Sequence, residues 1–200
     1  MAEAANISID DAILVERCRG GDSAAMEQLI IKYQNRIYNL ILKMCANVDD
    51  AAELTQETFV KVIENIDTFR ARSSFYTWVF RIAINLTLNY CQRRDRAGYK
   101  SLDVQYDKYN NGAKQMLKQF LSDDSSVDPA VVAANRELSD MVWDCLMKLD
   151  ERQRAVVILR DIEGMNYSQI GQVLDIELGT VKSRLSRARS NLRQFLETVL

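Results

Sequence analysis

The side chains best suited to chemistry lie near the C-terminus, where arginine and hydroxyl groups recur at helical spacing. Thr180, Ser183, Arg184 and Arg187 fall on one face of a helix. An arginine can donate two parallel hydrogen bonds to a guanine edge, and a serine or threonine hydroxyl can bond a base or a phosphate. Residues 177 to 195 hold five basic residues and one acidic residue, which gives +4 in a chain of net charge −2. The pattern indicates contact with nucleic acid.

A helix pair is expected to position this face. The opposite side of the second helix is an apolar stripe of Val181, Leu185, Ala188 and Leu192. Upstream, Asn166 followed by Gln169 resembles a capping box, Gly171 leaves room for a close helix crossing, and residues 175 to 179 are a turn. These features predict a helix-turn-helix whose second helix enters the DNA major groove by its N-terminal turns. The alternative is a basic surface helix with solvated charges.

A second candidate binding region combines aromatic and basic residues. Five of the sixteen aromatic residues lie between positions 69 and 80, and residues 70 to 100 hold seven basic residues and one acidic residue. Arginines that follow a phosphate backbone, with aromatic rings for base stacking, are typical of single-strand binding. We expect Trp78, Phe80, Ile82 and Leu86 to be core residues. The predicted contacts are Arg72, Ser73, Ser74, Phe75 and Tyr76 in a loop, and Asn85, Asn89, Arg93 and Arg94 along the following helix.

Residues 49 to 69 form an acidic amphipathic segment. Six carboxylates against Lys61 give it a charge of −5, and the first turn is acidic, as the helix dipole favours. Carboxylates can bind metals, but the chain has no histidine and no second acidic cluster. A solvated or partner-binding face is therefore favoured, and we expect no metal and no cofactor.

Composition predicts an all-α protein. The chain of 200 residues contains one proline and seven glycines, and its apolar residues recur at helical spacing from Asp10 onward, after a frayed lead-in of residues 1 to 9. The pattern fails from residue 97 and returns at about Pro129. We therefore predict two small helical domains, 1–96 and 129–200, joined by a flexible linker at 97–128. The second domain would hold four helices and contain the helix-turn-helix.

Cysteine usage and hydropathy indicate a reducing compartment. Cys18, Cys45, Cys91 and Cys145 are far apart, which favours small buried hydrophobes over a zinc site or disulfides. No apolar run approaches the roughly 20 residues that a membrane helix needs, and no signal peptide pattern is present. We expect a cytoplasmic protein without membrane insertion. The absence of histidine also makes an enzyme an unfavoured interpretation.

Four motifs together resemble the extracytoplasmic-function group of bacterial sigma factors, the alternative initiation subunits of RNA polymerase. They are Glu53–Phe59 (ELTQETF), Phe75–Trp78 (FYTW) with Arg81–Ala83 and Asn85, Leu149–Arg154 (LDERQR), and Gly179–Leu185 (GTVKSRL) with Arg187–Arg189. The motifs cover both predicted domains in the family's order. Asp175 stands where the family frequently has glycine, and Gly171 where it frequently has alanine.

The resemblance implies a role for each region. Residues 10 to 96 would be a sigma-2 domain that captures the opened −10 element through the aromatic and basic residues above, and residues 129 to 200 a sigma-4 domain. The −35 duplex would be contacted by Tyr167, Thr180, Lys182, Ser183, Arg184, Arg187 and Arg189. Core RNA polymerase would be contacted by Asp50, Glu53, Gln56 and Glu57. The implied partners are core polymerase, promoter DNA and an anti-sigma factor.

Three other classes compete with this interpretation. A free-standing helix-turn-helix regulator would use only the C-terminal half and keep the front half as a sensor or dimerisation domain. An adaptor would offer its basic faces to acidic partners, and a nuclease would need metal ligands that the acidic segment lacks. The discriminating feature is the basic and aromatic stretch at 72 to 80, for which a sensor domain has no use.

Overall fold

The computed structural model describes residues 2 to 96 and 139 to 198, and every regular element within these ranges is helical. The front half contains α1 (Ala2–Arg19), α2 (Ser23–Cys45), α3 (Val48–Asn65), a 3-10 turn (Ile66–Thr68) and α4 (Phe75–Arg96). The C-terminal half contains α5 (described at 139–147), α6 (Glu151–Val157) with a π turn (Ile158–Ile162), α7 (Tyr167–Leu174) and α8 (Leu178–Glu197). The all-α prediction is confirmed. The predicted linker at 97–128 lies outside the described residues.

Helix α2 is the centre of the front bundle. It begins where the Asp22 carboxylate accepts the N–H groups of Ala24 and Ala25 at 3.0 and 3.2 Å, and it ends at Ala46 in the left-handed region (φ 56°). Its apolar side is buried and packs against α1, α3 and α4. The cap and the apolar periodicity together explain why the helix occupies these residues.

Helix α1 begins at Ala2, so the expectation of a frayed lead-in at residues 1 to 9 is wrong from residue 2 onward. Alanine has the highest helix propensity, and three of the first five residues are alanines. Farther along, the buried Asp11 carboxylate accepts hydrogen bonds from Lys32 at 2.6 Å and from the Tyr33 hydroxyl. Burial and this carboxylate raise the pKa of Tyr33. The polar cluster attaches α1 to α2.

All four cysteines are buried as free thiols. Burial raises the pKa of Cys45 to about 12 and that of Cys91 to about 11. Both thiols are thus protonated at neutral pH, and they act as small apolar groups in the core.

The C-terminal bundle packs α8 against α6 and α7 through the expected stripe. Val181, Leu185 and Ala188 are at most 2% exposed, and Leu192 is half-buried. The capping box of Asn166 and Gln169 is present in both directions, at 2.9 Å each. The helix that begins at Glu151 changes at Ile158 to a π turn, which widens the backbone before the buried Met165.

The two bundles pack directly on each other. Helix α7 lies against α4, and α6 lies against α4 and the end of α2. The buried apolar residues of both halves accordingly form one continuous cluster. No helix in the described parts of the chain has the length and apolarity needed to cross a membrane.

The turn between α7 and α8 depends on two residues. Asp175 adopts the left-handed conformation (φ 55°), and the Ile176 N–H donates to the Gly171 carbonyl at 3.1 Å. A Cβ atom at Gly171 would lie 3.0 Å from the Ile176 oxygen but 3.9 Å from Val181. The missing side chain of Gly171 therefore makes room for the Ile176 carbonyl in the turn. The expected role of Gly171 in a close helix crossing is wrong.

The left-handed aspartate leads to a stability prediction. Replacing Asp175 with glycine should raise the free energy of unfolding by up to about 1 kcal/mol, because glycine adopts this conformation without steric cost. Asp175→Asn is the control, since it removes the same charge but keeps a Cβ atom. Chemical denaturation of the three proteins measures the effect, and equal stability of the glycine and asparagine variants would contradict the prediction.

Candidate nucleic-acid interface

The predicted reading face of α8 divides into two parts. Ser183 and Arg187 are exposed, and the Ser183 hydroxyl donates to the Thr180 carbonyl at 3.1 Å. Arg184 is half-buried beside Arg152 and Asp150, and burial followed by the Arg152 charge lowers its pKa. Arg184 thus lies toward α6, while Arg187 points away from the bundle into solvent.

A cationic groove runs along the other side of α8. It is an open cavity of about 370 Å³ lined by Tyr167, Lys182, Leu185, Ser186, Arg189, Ser190 and Arg193. Tyr167, at the first turn of α7, therefore lies in the same groove as Lys182, Arg189 and Arg193 of α8. Arg193 was not among the predicted contacts, although its position four residues after Arg189 could have indicated it.

Two ion contacts orient the groove. Arg189 donates two hydrogen bonds to the Asp161 carboxylate, one of them from Nε at 3.3 Å, and the hydrogen bonding raises its pKa. Arg160 stacks over the Tyr167 ring at 5.1 Å and donates to the Met165 carbonyl at 2.8 Å. Arg189 and Tyr167 are consequently held in place from the α6 side of the bundle.

The loop before α4 comprises residues 69 to 74. It is anchored by Phe69, whose ring is buried and whose carbonyl accepts a hydrogen bond from Arg19. Arg72 and Ser74 are exposed, and Ser73 is half-buried. Ser74 also caps α4, because its hydroxyl accepts the Thr77 N–H at 3.2 Å. The loop can present polar groups to a strand from a rigid base.

Phe75 and Tyr76 lie in the first turn of α4, so the expectation that they belong to the loop is wrong. Phe75 is 4% exposed, and its ring lies 5.6 to 5.8 Å from those of Tyr33, Phe69 and Trp78. In this position it cannot stack on a base, because the ring is buried among other aromatic side chains. Tyr76 is half-buried under Arg36, with 4.8 Å between the guanidinium and the ring.

The remaining residues of the aromatic stretch follow helical geometry. Phe80 is fully buried, while Trp78, Ile82 and Leu86 are half-buried against the core. The expected core placement therefore holds fully for Phe80 and partly for the other three.

The exposed side of α4 carries one polar row. Asn85, Asn89 and Arg93 are exposed at steps of four residues, and Arg81 precedes them at the same step. Arg94 is different: it donates to the Cys45 carbonyl at 3.1 Å and lies 3.9 Å from Asp50. The structure thus brings Asn85, Asn89 and Arg93 together and gives Arg94 a role in joining α4 to α2 and α3.

Three of the four contacts predicted on α3 are exposed. Glu53, Gln56 and Glu57 are exposed, and Val60 and Ile63 beside them are 51% and 49% exposed. This face of α3 therefore combines carboxylates with two exposed aliphatic side chains.

Asp50 points away from this face. Its carboxylate contacts Arg94 and the Tyr90 hydroxyl, and burial followed by this hydrogen bond raises the pKa of Tyr90. In the described parts of the chain, no group of three ligand-type side chains could hold a metal ion.

Comparison with known proteins accounts for both halves of the chain. Residues 29 to 97 match the family model of sigma-70 region 2, and residues 139 to 192 match that of sigma-70, region 4. SigW of Bacillus subtilis, an ECF RNA polymerase sigma factor, is 34% identical over 184 residues, covering 91% of this chain and 94% of SigW. The ECF RNA polymerase sigma-E factor of Haemophilus influenzae is 30% identical over 192 residues, covering 96% of this chain and 98% of the relative.

Two solved structures share the fold. CnrH in complex with the cytosolic domain of CnrY superposes with a TM-score of 0.65 at 23% identity, covering 94% of this chain and 98% of CnrH. The sigma factor RpoE of Bartonella quintana, in complex with the anti-sigma factor NepR, gives 0.61 at 22% identity, covering 86% and 96%. At these identities the likeness extends to the fold.

Proposed function

We propose that this chain, which belongs to the extracytoplasmic-function group of alternative RNA polymerase sigma factors, binds core polymerase and directs it to promoters with particular −35 and −10 elements. It acts in the cytoplasm by binding and positioning, without catalysing a reaction of its own. In this proposal residues 1–96 bind the polymerase and melt the −10 element, and residues 129–200 bind the −35 duplex. Residues 97–128 link these two domains.

The observation that carries the proposal is the polar row of Arg81, Asn85, Asn89 and Arg93, which follows the loop at 69 to 74 with its exposed Arg72 and Ser74. Amide and guanidinium groups at one helical step can follow a strand, offering hydrogen bonds to bases and charge to phosphates. A free-standing regulator that reads duplex through α8 alone has no use for this second surface.

The −10 contacts are best assigned to the exposed groups. Arg72, Ser73 and Ser74 would meet a base held out of the stack, and the row on α4 would follow the strand. Base flipping costs a few kcal/mol, which polar contacts to the base edge and stacking must offset. Phe75 supports the loop from within, and Tyr76 would contribute only where its hydroxyl and ring become exposed.

Core polymerase would dock on the α3 face of Glu53, Gln56 and Glu57. Carboxylates steer a basic partner surface, and Val60 and Ile63 supply apolar area that water would leave on docking. Asp50 acts from inside the bundle by holding Arg94. An anti-sigma factor is a further proposed partner, because RpoE of Bartonella quintana was solved in complex with one.

Run-off transcription tests the proposal. Purified core polymerase is assayed on candidate promoters with and without the chain, and we expect specific transcripts only with it. Promoter-specific duplex binding in the absence of polymerase, with no effect on run-off transcription, would instead support the free-standing regulator.

Arg187 is expected to read a base. Arg187→Ala should weaken binding of the −35 duplex in the holoenzyme by roughly 1 to 3 kcal/mol and relax sequence preference at one position. Arg193→Ala is the matched control, since a groove residue that contacts phosphate should lower affinity evenly on all sequences. Binding is measured on a panel of single-base −35 variants, and an even loss for Arg187→Ala would make it a phosphate contact.

A further inference from the structure

The loop before α4 is held at both ends. At its start the Phe69 ring is 6% exposed and packs against Phe75 and Trp78, with 5.8 and 5.2 Å between ring centroids. At its end the Ser74 carbonyl accepts the Trp78 N–H at 3.1 Å, and the Ser74 hydroxyl lies 2.8 Å from that of Thr77. The loop is therefore a short segment between two fixed points.

A side chain of α1 fixes the backbone at the start of this loop. Arg19, in the last turn of α1, donates from Nη2 to the Phe69 carbonyl, 50 positions along the chain, and from Nη1 to the Glu16 carboxylate at 2.6 Å. The Arg19 side chain is 29% exposed and that of Glu16 is 70% exposed. An exposed ion pair contributes little, so we expect the contact with the Phe69 carbonyl to be the stronger of the two.

Helix α1 is a rigid support for this contact. The buried Asp11 carboxylate accepts a hydrogen bond from the Tyr33 hydroxyl of α2, and the Tyr33 ring lies 5.6 Å from that of Phe75, the first residue of α4. Helix α1 therefore reaches both ends of the loop, directly at Phe69 and through Tyr33 at Phe75. Because α1 is itself fixed, the Arg19 guanidinium restrains the loop backbone and does not follow its motion.

The middle of the loop contains a strained residue. Ala71 is exposed and adopts the left-handed conformation, with φ 51°. Ala46 and Asp175 are left-handed too, but each follows the end of a helix, where this conformation is common. Elsewhere a residue with a Cβ atom keeps this conformation only where the surrounding structure determines it. The restraints at Phe69 and Ser74 supply that determination, so the loop has one preferred shape.

We propose that Arg19 is a positioning residue for capture of the −10 strand. Its bond to the Phe69 carbonyl holds the loop in the shape that the turn at Ala71 requires, and this shape fixes the orientation of the polar side chains that follow. A loop already in its binding shape loses less conformational freedom when a base enters, so binding is tighter and more selective. The rigidity of the loop follows from these contacts alone, whereas its use in strand capture rests on the proposed function.

Nuclear magnetic resonance relaxation of the full free chain tests the rigidity. We expect backbone order parameters of about 0.85 for residues 70 to 74 in the wild type, and values below about 0.6 in Arg19→Ala. Glu16→Gln is the matched control, since it removes the exposed ion pair of Arg19 but keeps the bond to the loop, and its order parameters should equal those of the wild type. A mobile loop in the wild type, or an equally ordered loop in Arg19→Ala, would overturn the proposal.

The functional half is tested in the holoenzyme, on a promoter identified by run-off transcription. Arg19→Ala should lower the open fraction, measured by permanganate reactivity of the −10 bubble, roughly tenfold, the effect of one charged hydrogen bond. It should also relax the base preference at one −10 position and leave the affinities for core polymerase and for the −35 duplex unchanged. Arg19→Lys keeps a donor of similar reach and should recover part of the opening. Unchanged opening and unchanged preference in Arg19→Ala would overturn the role of Arg19.

Salt dependence separates positioning from direct contact with DNA. An arginine that binds a phosphate contributes about 1 to the slope of affinity against salt concentration on logarithmic axes, so its removal lowers that slope. Positioning by Arg19 predicts the wild-type slope for both Arg19→Ala and Arg19→Gln. A lower slope in both variants would make Arg19 a phosphate contact and overturn the proposal.

A pair of substitutions at Ala71 tests the loop shape without altering α1. Ala71→Gly should keep the wild-type opening and base preference, because glycine adopts the left-handed conformation freely. Ala71→Val should lower opening about as much as Arg19→Ala, because a β-branched residue is strongly disfavoured there. This pair decides the proposal even where Arg19→Ala loses helix content, and equal opening by the two variants would overturn it. Absence of any open complex with the wild type would instead refute the proposed function and leave the relaxation result standing.

Discussion

Arg154→Ala should destabilise the C-terminal bundle by about 3 kcal/mol or more. The guanidinium donates to the carbonyls of Leu146, Met147 and Leu149 at 2.8 to 3.2 Å, besides Met44 in the front bundle. Several of these carbonyls belong to the last turns of helices, where no intrahelical donor is available. Removing the side chain takes this donor from the buried carbonyls, of which Leu146 keeps the Leu149 N–H at 3.2 Å, and opens a cavity in the core.

Matched substitutions isolate this effect. Arg152, two residues earlier in α6, is exposed, and Arg152→Ala should change the free energy of unfolding by less than about 0.5 kcal/mol. Arg154→Lys should recover only part of the stability, because an ammonium cannot reproduce the planar fork of donors. Urea denaturation followed by circular dichroism measures all three. Similar losses for Arg152→Ala and Arg154→Ala would show that the buried contacts contribute little.

Phe75→Ala is expected to act on stability before it acts on DNA. Phe75 is buried against three aromatic rings, and truncating such a residue typically costs about 3 to 5 kcal/mol. Phe75→Leu keeps most of the volume and should cost less than about 1.5 kcal/mol. Because the ring supports both the loop and the start of α4, the alanine variant should also impair strand opening.

Two measurements distinguish this support from direct stacking on a base. Thermal unfolding reports the stability of each variant, and permanganate reactivity of the −10 bubble reports opening. Support predicts that Phe75→Leu melts promoters almost normally, since packing is largely kept. A variant of wild-type stability whose bubble is lost would contradict the core assignment and restore the stacking interpretation.

Local spacing in the sequence identified several elements of the fold, although it misplaced the starts of α1 and α4. The capping box at Asn166, the cap at Asp22 and the apolar stripe from Val181 to Ala188 each depend on residues within a few positions of one another. Helix period and cap chemistry are short-range properties, so they can be recognised without knowing the partners. The same spacing identified the exposed row of Asn85, Asn89 and Arg93.

Long-range contacts decided which polar residues remain available. From the sequence, Arg94 was expected on one binding surface and Asp50 on another. In the structure the two side chains lie 3.9 Å apart within the front bundle. Phe75 was expected to be an aromatic residue of the loop, but α4 begins at this position and its ring is buried in the core. Charge and aromaticity indicate what a side chain can contact, and only packing determines what it does contact.

By itself the sequence determined the all-α class, the helix-turn-helix and the basic, aromatic and acidic surfaces, because each depends on periodicity and composition. Only the tertiary structure placed Glu163 against Arg36, Lys43 and Tyr76, and Arg154 against a carbonyl 110 residues away. The physical reason is that a buried charge takes its partners from whichever chain segments the core brings together. Nothing in the residues around Glu163 encodes that neighbourhood.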